Sequence, residues 1–195
     1  GTVQYACAAD VEAALQAASE AAPGWAATPP AQRAAMLALA ADLLQADVPR
    51  VMALLVREAG KTWAHAVAEL REAVDFLRYY AAQVRRDFDP STHRPLGPVV
   101  CISPWNFPLA IFTGQLAAAL VTGNTVVVKG ATDTPWAMTG AAFSYAPMSG
   151  ALPCGRATPR WSAGRWASRV SSVAAISRST ITPATNTTST AWWPA

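Results

Sequence analysis

The fold is decided by the stretch LGPVVCISPWNFP, residues 96–108, which is followed by an almost wholly apolar segment, 109–121, and by GNTVVVK, residues 123–129. A short apolar run bounded by Gly-Pro and Ser-Pro is typical of a buried strand. The apolar segment is typical of a helix packed on a sheet, and the Gly-Asn pair after it predicts a break before a second strand. This order predicts a βαβ unit, in which a crossover helix joins two parallel strands.

Three chemically distinct side chains follow the predicted strands. Trp105 and Asn106 come after the first strand and Lys129 ends the second, and ligands bind at the carboxyl ends of strands in such units. Asn106 is either a hydrogen-bond donor to a developing oxyanion or a cap for the helix that follows. Lys129 either binds ribose hydroxyls or phosphate, or extends into solvent at the sheet edge. Trp105 either lines a cofactor pocket or fills the core.

Four helices are predicted before this unit. The first covers 9–22, with Asp10 as its N-cap and Pro23-Gly24 as its stop. The second opens at Thr28-Pro29, and the third runs from Asp47 to Gly60, a glycine suited to follow a helix C-terminus.

The fourth predicted helix is the longest. Its apolar residues recur at alternating steps of four and three, which indicates one buried stripe: Trp63, Val67, Leu70, Val74, Leu77, Ala81 and Val84. Five charged residues occupy much of the other side and are interpreted as a solvated face: Glu69, Arg71, Glu72, Asp75 and Arg78.

Composition narrows the class of protein. Hydrophobic residues make up 52% of the 195 residues, much of it alanine, and no stretch reaches the roughly 18 strongly apolar residues that indicate a membrane span. The cysteines are Cys7, Cys101 and Cys154, an odd and widely spaced set without a CxxC pair. They predict free thiols and a reducing, cytoplasmic setting. His65 and His93 lack partner ligands at suitable spacing, so no metal site is predicted.

The central motifs are similar to those of the aldehyde dehydrogenase superfamily. The similarity lies in PWNFP at 104–108, GNTVVVK at 123–129 and Thr134-Pro135. Further motifs resemble one branch, the glutamate-semialdehyde (pyrroline-5-carboxylate) dehydrogenase module of bifunctional proline-utilisation flavoenzymes. They are CISPWNFPLAIF at 101–112, REAGKT at 57–62 and DFLRYYA at 75–81. The resemblance runs from about Val3 to Pro135.

The resemblance implies an NAD-dependent oxidation of an aldehyde, here L-glutamate γ-semialdehyde in proline breakdown. It implies that a cysteine thiolate adds to the aldehyde, that Asn106 donates to the oxyanion, and that a glutamate-activated water completes the reaction. It also implies homo-oligomers. The residues implied to bind the cofactor are Ile102, Ser103, Pro104, Trp105, Lys129 and Thr132.

The sequence departs from the family pattern in three places. Thr132 stands where the family has a glutamate that shares the ribose hydroxyls, which predicts weaker NAD binding. The family's Phe-Thr-Gly-Ser turn is missing. The nucleophilic cysteine and the base glutamate of the family fall beyond this chain, and the surroundings of Cys154 do not match the nucleophile motif. The chain alone is therefore expected to be an inactive fragment.

The last third differs in composition. All twelve acidic residues lie at or before Asp133, whereas the part after Pro135 contains five arginines and no acidic residue. A folded domain seldom changes this sharply. Residues 136–195 are interpreted as an irregular, frameshifted tail; the alternative is a basic, Trp-containing tail that binds nucleic acid. Translation of the coding DNA past codon 129 in the other frames separates the two.

The predicted class is thus α/β and incomplete: a helical layer to about residue 86, a connector at 87–95, and the first βαβ of a Rossmann-like NAD-binding domain at 96–130. The non-enzymatic alternative is an assembly fragment that binds a full-length relative through the helical half.

Overall fold

The computed structural model describes residues 6–135 and residue 137. This part of the chain forms five helices and two strands: α1 (Ala8–Ala26), α2 (Pro30–Ala46), α3 (Val48–Glu58), α4 (Trp63–Asp87), β1 (Val99–Ile102), α5 (Ala110–Val121) and β2 (Val126–Lys129). The fold is the N-terminal helical layer and parallel βαβ unit that the sequence predicts. Apart from Ala137, the predicted irregular tail lies outside the described residues.

The βαβ unit is confirmed in its topology. Strands β1 and β2 pair in parallel, with a register that runs from Val99 opposite Val126 to Ile102 opposite Lys129. Helix α5 joins them and buries nine of its twelve residues. Gly114 allows α5 to approach α4, because a Cβ at this position would lie 3.1 Å from the Phe76 ring.

The core lies where α4 packs against α2 and α5. Burial confirms the predicted stripe of α4 from Leu70 to Val84. The first two positions of the stripe differ: Trp63 is 67% exposed and Val67 is 41% exposed. Periodicity identifies the apolar face of a helix, but a residue on that face is buried only where another element packs against its turn. A local sequence pattern does not show where the packed element ends.

Helix α1 begins and ends differently from its prediction. Its N-cap is Cys7, and Asp10 lies in the first turn, where its carboxylate accepts a hydrogen bond from the Cys7 backbone N–H at 3.0 Å. The helix continues through Pro23 to Ala26. Trp25 explains this continuation, because its buried indole N–H donates to the Leu120 carbonyl at 2.9 Å and fixes the last turn on α5. Tertiary contact thus outweighs the helix-breaking tendency of proline.

The next two helices are close to their predictions. Helix α2 starts one residue later than predicted, with Pro29 as N-cap and Pro30 as the first helical residue. Helix α3 begins at Val48, one residue after the predicted start, with Asp47 as its N-cap, and Gly60 follows its end with φ +63°. This left-handed conformation is the one for which glycine is favoured after a helix.

Strand β1 is only partly buried, which corrects the prediction of a buried strand. Val100 is 54% exposed and Ile102 is 62% exposed. Helix α1 packs on β2, where the Thr125 hydroxyl donates to the Ala18 carbonyl at 2.8 Å. Strands with both faces covered occur where helices lie on both sides of a parallel sheet, and in the described part of the chain one face of β1 stays open.

Gly123 and Asn124 form the joint between α5 and the sheet. The buried Asn124 Oδ1 accepts from the Leu96 N–H at 2.6 Å and from the Gly97 N–H at 3.2 Å. Its Nδ2 donates to the Ala119 carbonyl at 3.2 Å. One side chain therefore ties the end of α5 to the segment that enters β1.

We expect Gly123→Ala to lower the free energy of unfolding by about 1–3 kcal/mol. Gly123 has φ +95°, and an added Cβ would lie 2.8 Å from Pro95 Cγ. The measurement is urea unfolding of the 195-residue chain followed by circular dichroism. Gly24→Ala is the matched control, because a Cβ there meets no atom within 4 Å; equal effects at both positions would contradict the argument.

Candidate functional site

The carboxyl ends of β1 and β2 lie side by side. Ile102 is the register partner of Lys129, and the Ser103 N–H donates to the Lys129 carbonyl at 3.0 Å. The loop 103–109 leaves this edge and leads into α5. The strand pairing therefore brings the loop that bears Trp105 and Asn106 to the same edge of the sheet as Lys129.

Most of the side chains predicted to bind a cofactor are accessible at this edge. Ile102 is 62% exposed and Trp105 is 57% exposed, which excludes the reading of Trp105 as a core residue. Asn106, Lys129 and Thr132 are exposed as well. Ser103 and Pro104 differ, since Ser103 is buried and Pro104 is half-buried. The accessible set combines apolar surface, a neutral amide and one cation.

Asn106 is not the cap of α5. The N-cap of this helix is Leu109. The Leu109 and Ala110 N–H groups, at the beginning of α5, donate instead to Oε1 of Glu69, at 2.9 and 3.2 Å. The helix-capping alternative for Asn106 is therefore wrong, and the oxyanion-donor role stays a prediction.

Glu69 is the residue that the sequence analysis misassigned. Its side chain is fully buried, whereas the prediction placed it on a solvated face. A buried carboxylate needs partners, and Glu69 has them from the beginning of α5 and from Lys61. Its spacing was informative: Glu69 lies three residues after Ala66 and four before Ala73, both buried. That position on the helix lies within the apolar face.

Lys61 forms a largely buried ion pair with Glu69. Its Nζ lies 2.6 Å from Glu69 Oε2, and its side chain is 10% exposed. The same Nζ lies 3.9 Å from the centroid of the Phe107 ring, within the range of a cation–π interaction. We call Lys61, Glu69 and Phe107, together with the Leu109 and Ala110 amides, the Lys61–Glu69 cluster. It connects the start of α4 to the loop that carries Asn106.

A comparison with family models matches residues 1–148 to the "Aldehyde dehydrogenase family". The chain belongs to the aldehyde dehydrogenase family. The predicted resemblance is therefore confirmed.

Two relatives within the family carry names from proline metabolism. The bifunctional protein PutA of Klebsiella aerogenes is 64% identical over 135 residues, which are 69% of this chain and 10% of that protein. The 1-pyrroline-5-carboxylate dehydrogenase of Anoxybacillus flavithermus is 46% identical over 136 residues, 64% of this chain and 26% of that protein. The chain thus spans about a tenth to a quarter of these relatives.

Solved structures of the family share the fold. A crystal structure of bifunctional proline utilization A has a TM-score of 0.71 at 46% identity, covering 74% of this chain and 16% of that one. The 1-pyrroline-5-carboxylate dehydrogenase from Thermus with bound NAD has a TM-score of 0.69 at 37% identity, covering 72% and 30%.

The beginning of α5 is closed to phosphate, although βαβ units of many nucleotide-binding proteins hold phosphate at that place. The Glu69 carboxylate already accepts from the Leu109 and Ala110 amides. A second anion would meet a buried negative charge instead of free donors. The Leu109 and Ala110 amides are therefore not free to bind a phosphate.

The two described cysteines have different environments. Cys7 is exposed, whereas Cys101 is buried in β1 and its burial raises the pKa of the thiol. This agrees with the prediction that Cys101 belongs to the core; Cys154 lies outside the described residues. Within residues 6–135, no group of three or more His, Cys, Asp or Glu side chains is arranged to hold a metal ion, and no helix is long and apolar enough to cross a membrane.

We expect iodoacetamide at pH 8 to alkylate Cys7 at least about tenfold faster than Cys101, because the thiolate is the reactive form and burial disfavours it.

Since the pKa of Cys101 is raised in the fold, the unfolded chain releases the thiol proton at a lower pH than the folded chain does. The contribution of Cys101 to stability is therefore lost as the pH rises above the unfolded-state pKa of about 8.5. Peptide mass spectrometry measures the rates, and Cys101→Val is the control for the pH dependence. Equal rates at the two thiols would contradict the assignment.

Proposed function

We propose that this chain carries the cofactor-side edge of an NAD-dependent dehydrogenase that oxidises glutamate γ-semialdehyde, the open form of 1-pyrroline-5-carboxylate. Relatives that bear this activity in their names support the substrate, and the NAD-bound Thermus structure supports the cofactor. In this proposal the partial NAD-binding domain ends at about residue 135, within the matched residues 1–148, and the setting is the cytoplasm.

The observation that carries the proposal is the pairing of Ile102 with Lys129 at the open edge of the sheet. It places the exposed Ile102 beside the exposed Lys129, and the exposed Trp105 follows in the loop that leaves the same edge. Apolar surface suits the flat rings of a dinucleotide, and an ammonium group suits its ribose hydroxyls. The residues present therefore fit NAD on its adenosine side, with Lys129 and Thr132 at the ribose.

NAD, when bound, supplies the acceptor for hydride. The chain's own contribution to the chemistry is Asn106, whose Nδ2 donates to the substrate oxygen as negative charge develops there. A preorganised donor of this kind contributes about 3 kcal/mol to a transition state. Asn106 is neutral at every pH, so it stabilises that oxygen without introducing a charge at the site.

The 195-residue chain alone is proposed to be inactive. The reaction of the family requires a thiolate nucleophile, and of the described cysteines Cys7 is on α1's N-cap and Cys101 is buried with a raised pKa. Burial therefore makes Cys101 poorly suited to attack a substrate held by Asn106. Purified chain is mixed with NAD and glutamate semialdehyde and NADH absorbance is followed; turnover above the protein-free control would overturn this part of the proposal.

Cofactor binding is tested separately by calorimetric titration of NAD into the purified chain. We expect Lys129→Met to weaken binding at least about tenfold and Thr132→Glu to strengthen it about tenfold, since hydrogen bonds to charged groups contribute about 1.5–3 kcal/mol. Arg57→Met is the control, because it removes the same charge from an exposed position on α3. Absence of saturable NAD binding, or binding that Lys129→Met leaves unchanged, would refute the cofactor assignment.

A further inference from the structure

We infer that Glu69 is a positioning residue: its buried carboxylate fixes the beginning of α5 and thereby the loop 103–109 that presents Trp105 and Asn106. The inference rests on the proposed function for the role of the loop in binding cofactor and substrate. The geometry of the Lys61–Glu69 cluster supports the positioning of the loop independently of that role.

The loop is held at its two ends. At its start, the Ser103 N–H donates to the Lys129 carbonyl. At its end, the Leu109 and Ala110 N–H groups donate to Glu69. Amides in the first turn of a helix have no partner within the helix, so an external acceptor decides whether these two are ordered.

The middle of the loop offers less packing. Trp105 is 57% exposed and Phe107 is 41% exposed, and Asn106 is exposed as well. Pro104 and Pro108 restrict the backbone, and of the two only Pro108, at the end of the loop, is buried. The described contact that reaches its middle is Lys61 Nζ on the Phe107 ring, and Lys61 is itself held by Glu69.

The cluster has two separable components. One is the ion pair, which compensates two buried charges. The other is Oε1 as an acceptor for two amides. If Glu69 only compensates the charge of Lys61, removing both charges together leaves the loop in place. If Glu69 positions the loop, an acceptor must also remain at the place of Oε1.

Two neutral double variants separate these components. Glu69→Gln with Lys61→Met keeps an amide oxygen at the position of Oε1, and Glu69→Leu with Lys61→Met removes it; neither leaves an unpaired charge. Hydrogen exchange of the full chain is followed by NMR, with Leu37 and Leu44 in α2 as the reference for global opening. Glu72→Gln, at an exposed position of α4, is the matched control.

We expect the protection factors of the Leu109 and Ala110 amides to stay within about threefold of wild type in the Gln variant and to fall by roughly five- to twelvefold in the Leu variant, because a lost hydrogen bond of about 1–1.5 kcal/mol opens the site by that factor. The reference amides should change equally in both. Equal protection of Leu109 and Ala110 in the two double variants, or a loss that only follows global opening, would overturn the inference.

NAD titration on the same variants separates the two proposals. Weaker binding by the Leu variant than by the Gln variant supports a positioned loop in the cofactor site. If the wild-type chain does not bind NAD, the proposed function fails while hydrogen exchange still decides whether Glu69 positions the loop.

Discussion

Replacement of Arg33 by Met is expected to lower the free energy of unfolding by about 3–4 kcal/mol. Arg33 is 1% exposed and lies on α2. Its Nε donates to the Val121 carbonyl at 2.9 Å, and its Nη1 donates to the Ala26 carbonyl at 3.2 Å and to the Thr28 carbonyl. One guanidinium group thus joins the α1–α2 connection to the end of α5.

The expected loss comes from the partners of Arg33. A buried ion pair can be replaced by apolar residues at little cost when both charges are removed. The partners of Arg33 are backbone carbonyls, which no substitution removes, and each one left unsatisfied costs about 1–3 kcal/mol. Burial lowers the pKa of Arg33, which reflects the cost of desolvating the charge and offsets part of the gain.

Urea unfolding followed by circular dichroism measures this effect. Arg33→Lys should be intermediate, because it retains the charge but not the fork of donors. Arg57→Met, at an exposed position, should stay within about 0.5 kcal/mol of wild type. A loss for Arg33→Met no larger than that of Arg57→Met would show that the carbonyls find other partners.

The βαβ unit was predictable because its signals are local. The apolar runs at 99–102 and 126–128, the apolar helix between them and the Gly-Asn break each carry their own structural preference. Parallel pairing then brings Ile102 next to Lys129 without further information. The edge that would bear the cofactor could therefore be predicted from sequence.

The buried charges were not predictable in the same way. Arg33 and Glu69 resemble surface residues of a helix, and their partners are backbone groups 88 and 40 residues away. The spacing of Glu69 indicates its burial, but no local pattern identifies the partners of either residue. The continuation of α1 through Pro23 has the same origin, since the Trp25 bond to Leu120 spans 95 residues. Hydrogen bonds to backbone groups that are distant in the sequence determine these features.

The Lys61–Glu69 pair should show strongly non-additive energetics. Glu69→Leu alone leaves the largely buried Lys61 ammonium without its carboxylate and two amides of α5 without an acceptor. Removal of one partner of a buried pair costs about 3–5 kcal/mol, and we expect a loss of this size in the free energy of unfolding.

Lys61→Met on top of Glu69→Leu should recover part of that loss. The double variant no longer buries an unpaired charge, and the remaining cost is that of two lost amide hydrogen bonds, about 2–3 kcal/mol in all at about 1–1.5 kcal/mol each. A double-mutant cycle by urea unfolding, with Glu72→Leu and its Lys61→Met double as the matched cycle, measures the coupling. Because Glu72 is exposed on α4, that control cycle should be additive within about 0.5 kcal/mol. If the losses of Glu69→Leu and Lys61→Met simply add, the two charges stabilise the fold independently and water compensates each of them. The burial of both side chains argues against that outcome, because the Glu69 side chain is 0% exposed and the Lys61 side chain is 10% exposed.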